Sequence, residues 1–177
     1  MESRLDVGRS SSVPLFADRL ELVGLDDKPS DANPRPTTVL LVRKVIPAPD
    51  HVADALGTDR GHPVTRLLRL RFDGDEPMAI MENYLPHEVV DLSAVDLSST
   101  GLHQALWAGG ISLTTARQRI GARAGTMQEC RLLGEPPHSP MLTVERVTRD
   151  RDARVVEYAS HLYRASRFDF TMTLIGG

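Results

Sequence analysis

Short runs of β-branched and apolar residues, bounded by Gly, Pro, Asp and Asn, recur along the chain and give way here and there to stretches with helical spacing. Leu15, Phe16, Leu20, Leu22 and Val23 recur at helical spacing between Pro14 and Gly24, which predicts a short amphipathic helix. Pro29, Pro34 and Pro36 mark a loop before a strand over Thr38–Ile46. Asp50–Leu56 makes two helical turns closed by Gly57. Val64–Phe72 and Pro77–Leu85, joined by Asp73-Gly74-Asp75-Glu76, read as a β-hairpin. A helix over Gly101–Ala108 stops at Gly109-Gly110, and a strand over Leu113–Ala124 follows. Thr126 with Glu129 three residues on has the form of a capping box, opening a helix that ends at Gly134. Three strands close the chain, at Met141–Arg149, Val155–Arg164 and Phe168–Leu174. No internal repeat is visible. Hairpin-linked strands interrupted by single short helices define an α+β fold with a central, mostly antiparallel sheet, because long crossover helices are missing.

Composition narrows the function. The chain has 177 residues, 41% of them hydrophobic, enough for one ordinary domain with a real core. Lys+Arg 21 against Asp+Glu 24 gives a net charge of -3, so the chain as a whole lacks the cationic excess that grips nucleic acid. Cys130 is the single cysteine, which excludes an internal disulfide framework and fits a reducing cytoplasm. No run is long enough to cross a membrane as a helix, and Met1–Ser12 lacks the apolar centre of a secretory signal, so no membrane partner is expected. The first thirteen residues, with Gly8 and Ser10-Ser11-Ser12, read as a linker or loose terminus.

Catalytic signatures are missing: there is no HExxH, GxSxG, GxxxxGK[ST] or CxxC, and no GxGxxG after a strand. The six histidines, at 51, 62, 87, 103, 138 and 161, do not pair at metal-ligand spacing. Neither a metal nor a cofactor is expected, and no residue is assigned a catalytic role. Two strands carry more. Arg69 and Arg71 leave one face of their strand while Leu68, Leu70 and Phe72 leave the other, where burial is expected. Two guanidinium forks on one face can hold a carboxylate or phosphate, or can pair with acids across the sheet or lie in solvent. On Val155–Arg164, Glu157, His161 and Tyr163 share a face with Ala159, a polar mixture that suits a ligand or a solvent-facing sheet. Glu82 is the only charge in Met78–Leu85, and its register against Arg69 stays open.

The ordered segments "PLFADRL", "PAPDHVADALG", "RLLRLRFDGDEPMAIMENYLP", "GTMQECRLLGEPPHSPMLTVERVTRD" and "VVEYASHLYRASRFDFTMTL" together resemble the UTRA domain, the effector-binding half of HutC-type regulators of the GntR family. The likeness runs from about Pro14 to Leu174, and residues 14–177 are taken as the domain. It implies a chorismate-lyase-like fold, a homodimer, and a small-molecule effector that acts on DNA only through an N-terminal winged helix-turn-helix domain not contained in this chain. It also implies ligand-binding roles for Arg69 and Arg71, matching two phosphate-holding arginines, and for Glu157 and Tyr163. Other positions depart. Met81 stands where the family has a glutamate, and Glu82, one step on, faces away in a regular strand. Ala17 replaces a hydroxyl, and the helix opening reads Gly101-Leu102-His103, which puts His103 at the pocket rim. These changes weigh against a sugar phosphate and leave a carboxylate, a more apolar metabolite, or no ligand at all. A stand-alone lyase-like enzyme, and a dimerisation module whose pocket is filled by side chains such as Met81, are the alternatives.

Overall fold

The computed structural model describes residues 36–168. In chain order these form β1 (Thr37–Pro47), α1 (Asp50–Leu56), β2 (Pro63–Asp73), β3 (Glu76–Pro86), α2 (Leu102–Ala108), β4 (Leu113–Ala124), α3 (Met127–Leu132), β5 (Pro140–Asp150) and β6 (Val155–Arg164). The helix expected from Pro14 lies outside the described residues. So does the strand expected at Phe168–Leu174, apart from Phe168 itself.

Local chemistry sets the element ends. Gly57 takes φ 68 after α1 and Gly134 takes φ 65 after α3, the left-handed conformation that releases a chain from a helix at least cost to glycine. Thr126 and Glu129 form the reciprocal capping box at the start of α3. Arg123 reinforces it with two hydrogen bonds to the Glu129 carboxylate, at 2.6 and 2.8 Å. Chiefly through Arg123, the Glu129 carboxyl is held at about 2, below the usual carboxylate range.

All neighbouring strands pair antiparallel, in the order β1-β2-β3-β6-β5-β4. That order exposes a duplication that the residue pattern conceals. Strand, helix and two hairpin-linked strands occur as β1-α1-β2-β3 and again as β4-α3-β5-β6, and the halves meet where β3 pairs with β6. Gly57 and Pro63 of the first half correspond at equal spacing to Gly134 and Pro140 of the second. The expectation of no repeat is therefore corrected. Equivalent positions share size and burial more than identity, as with Ala53 and Cys130, so sequence self-comparison has little to detect.

Each sheet face has its own cover. On one, Val52 and Leu56 of α1 pack onto Val64, Tyr84 and Tyr158, while Cys130 and Leu133, at α3 and its end, pack onto Leu70, Ile80, Met141 and Leu162. Glu82 lies on this face, where it accepts from Arg66 Nε at 2.6 Å and from the Tyr84 hydroxyl at 2.8 Å, so its register is settled away from Arg69. Burial and that carboxylate push the Tyr84 phenol up to about 12. The opposite face is covered by α2, whose Leu102 and Leu106 cluster with Leu67, Leu85, Leu92 and Leu97.

Arg69 and Leu70 leave opposite faces of β2, as the alternation requires. The expected burial of Leu68, Leu70 and Phe72 holds only for Leu70, since Leu68 and Phe72 are half-buried. The register shifts between Arg71 and Phe72, and Phe72 sits at the hairpin end, where the sheet's cover thins. Leu67 is the fully buried leucine of this strand. Leu67→Ala should cost about 2–5 kcal/mol in urea unfolding and Phe72→Ala clearly less. An equal or reversed pair of losses would show the burial to be misassigned.

Candidate functional site

The α2-covered face is where polar side chains converge, because cross-strand partners in an antiparallel sheet project to the same side. One row runs Arg69, Met81, His161 and Val144, and the next runs Leu67, Asn83, Ala159, Arg146 and Gln118. Arg69, Met81, Glu157 and Tyr163 are thus brought together as the sequence suggested, and all four are buried. Arg71 leaves β2 on the same side, half-buried and nearer the hairpin. His103 is not at a rim. It is 5% exposed, because α2 lies with His103 pointing at the sheet among Leu102, Ala105 and Leu106.

Glu157 is the electrostatic centre. Asn83 Nδ2 donates to its Oε1 at 2.7 Å, and the Thr148 hydroxyl donates to its Oε2 at 2.9 Å. His103 Nε2 lies 3.2 Å from the same Oε2, tying α2 to the sheet. Burial alone would raise the carboxyl, but the His103 hydrogen bond and charge, the nearby His161 and the Thr148 hydroxyl outweigh it and hold Glu157 at about 2. Asn83 also lies 3.3 Å from His161 Nε2, and His161 Nδ1 is 3.4 Å from the Tyr163 hydroxyl. The Tyr163 ring stacks on Phe168 with centroids 4.2 Å apart.

Arg69 is bound less completely. Its Nη2 donates to Asn83 Oδ1 at 3.0 Å, while its Nε is buried and has no hydrogen-bond partner among the described residues. Met81, Ala79, Val144 and Tyr163 form an apolar cluster beside it. A guanidinium with an N–H left over is the group type that pairs with a carboxylate or phosphate oxygen.

Sequence reasoning missed Asn83, Thr148 and Arg146. Asn83 stands two residues after Met81 on a strand of otherwise apolar buried residues, and that parity was its available signal. A groove of about 530 Å³ opens elsewhere, at the strand ends, lined among others by Leu56, Thr58, Pro86, Ile111, Arg149 and Val155. None of the six candidate residues lines it.

The fold is that of a regulator's effector-binding domain, a class assigned by comparison with known proteins. The chain belongs to the UTRA domain family, whose model matches residues 31–169. It is 33% identical over 144 residues to the probable transcriptional regulator PhnF of Escherichia coli K12, covering 80% of this chain and 60% of that protein. To the transcriptional repressor NagR of Bacillus subtilis it is 28% identical, covering 76% and 56%. The chain thus spans less than two thirds of these relatives. Among solved structures, a protein of Streptomyces coelicolor assigned to transcriptional regulation superposes with TM-score 0.77 at 46% identity, over 81% of this chain and 95% of that one. The effector domain of PhnF from Mycobacterium smegmatis gives TM-score 0.75 at 25% identity, over 80% and 88%. Among the described residues no helix is long and apolar enough to cross a membrane.

Because Glu157 titrates near 2 in the folded chain against 4.5 for the unperturbed group, it adds stability that is present above about pH 4.5 and lost as pH falls toward 2. Glu129 contributes in the same window, so the comparison is with Glu157→Gln. The difference in unfolding free energy between parent and Glu157→Gln should shrink as pH falls from 5 to 2. A difference constant across that range would contradict the assignment.

Proposed function

We propose that this chain is the effector-sensing domain of a transcription regulator of the HutC branch of the GntR family. It works as a homodimer, and its ligand alters DNA binding by a winged helix-turn-helix domain elsewhere in the intact cytoplasmic regulator. Support comes from the family, from the names of the relatives, and from the fold shared with the effector domain of PhnF. The effector is a small anion. Arg69 and Arg71 receive it, Met81 and Tyr163 wall its apolar part, and Glu157 with His103 holds α2 across the site.

The observation that carries this reading is Arg69: a guanidinium 2% exposed, with a buried Nε lacking a partner. Unanswered buried donors carry a cost, and an anion answers them. Catalysis is disfavoured by the same cluster. Both Glu157 oxygens already accept hydrogen bonds, and a carboxylate held near 2 is a poor base at neutral pH. Ligand control needs only a differential affinity for two states of the dimer, typically about 1–3 kcal/mol.

Thermal-shift screening of the chain against a library of anionic metabolites, followed by calorimetry of the hits, tests this. A hit should lose about 10- to 100-fold in affinity in Arg69→Ala, as the loss of a charged hydrogen bond of about 1.5–3 kcal/mol requires. Equal affinity in a folded Arg69→Ala variant would move the site elsewhere.

A further inference from the structure

Arg146 is a second buried guanidinium on the same sheet face. It is 6% exposed, and its hydrogen-bond partner among the described residues is a neutral one, Gln118, whose Oε1 accepts from Nε at 2.9 Å. No carboxylate among those residues lies within salt-bridge reach of it, although arginines elsewhere are paired, such as Arg164 with Glu135 at 2.6 Å. Its place is not arbitrary. Arg146 follows Pro140 at the same step by which Arg69 follows Pro63, so the duplication puts one arginine in each half. Both point to the face covered by α2, with Asn83 and His161 between them.

We propose that Arg146 with Gln118 forms a second anion subsite, and that the effector of this domain carries two acidic groups, one at Arg69 and one at Arg146. This rests on the anion reading of Arg69 given above. The strands β2 and β5 are three spacings apart, on the order of 14 Å between backbones, so the two acidic groups belong to one molecule whose length a series of diacids measures. A monoanion would leave one buried guanidinium without its counter-charge, whereas a diacid neutralises both. Ala159, next to Arg146 in its row, adds little bulk between the arginine and the centre of the face.

The test is calorimetry and thermal shift on the full chain with α,ω-dicarboxylates from succinate to sebacate, the monocarboxylates of equal length, and inorganic phosphate. At one chain length the diacid should bind about tenfold or more tightly than its monocarboxylate, with one diacid per chain. Arg146→Gln should abolish that advantage while monocarboxylate binding at Arg69 persists, a binding that Arg69→Ala in turn removes. Arg146→Lys, which keeps the charge, should retain part of it, and circular dichroism establishes that both variants are folded. Monocarboxylate binding with no diacid advantage at any length, or an advantage untouched in folded Arg146→Gln, overturns the second subsite and leaves Arg69 standing. Failure of every anion to bind overturns both.

Discussion

The burial of Arg69 and Arg146 on one sheet face, each with a neutral amide and no carboxylate partner among the described residues, is the constraint around which this domain is arranged. A charge removed from water must be paired, solvated by fixed dipoles, or tolerated at a loss. Glu157, the acid at the centre of that face, is committed to Asn83, Thr148 and His103. Arg69 is left with an amide oxygen and Arg146 with another. On the proposed reading, a ligand that supplies negative charge completes this face.

The scaffold makes that condition possible. One face of the sheet carries α1 and α3 over two apolar clusters, which provides a core without any contribution from the polar residues. The other face has only α2 with the leucines around it, fixed to the sheet in part by the buried contact of His103 with Glu157. A short helix held over a charged site by the same carboxylate that orders the site is well placed to report occupancy, because any rearrangement of Glu157 changes its hold on α2.

Much of this was legible in the residues. The hairpin, the glycine helix ends and the Thr126–Glu129 cap follow from short-range chemistry, and all appear where the spacing put them. Alternation alone put Arg69 and Arg71 on one side, and Glu157 and Tyr163 on one side. What alternation cannot give is which strands adjoin. The pairing of β3 with β6 brings Asn83 against Glu157, two residues 74 apart in the chain, and no local pattern announces it. The same limit hid the duplication, whose halves agree in the order of their elements while few equivalent residues are identical. It also hid the difference between Leu67 and Phe72, because burial depends on where a covering helix lies and not on hydrophobicity alone.

On the proposed reading, Arg69 is maintained at the expense of the ligand-free fold. Urea unfolding of parent and Arg69→Met in anion-free, non-binding buffer tests it directly, since Met keeps the apolar stem and removes the buried charge. Arg69→Met should be at least as stable as the parent when no anion is present, and its stability should no longer respond to added anion. A variant markedly less stable than the parent in the absence of anion would show that the guanidinium is a structural member of the core, and would contradict the account.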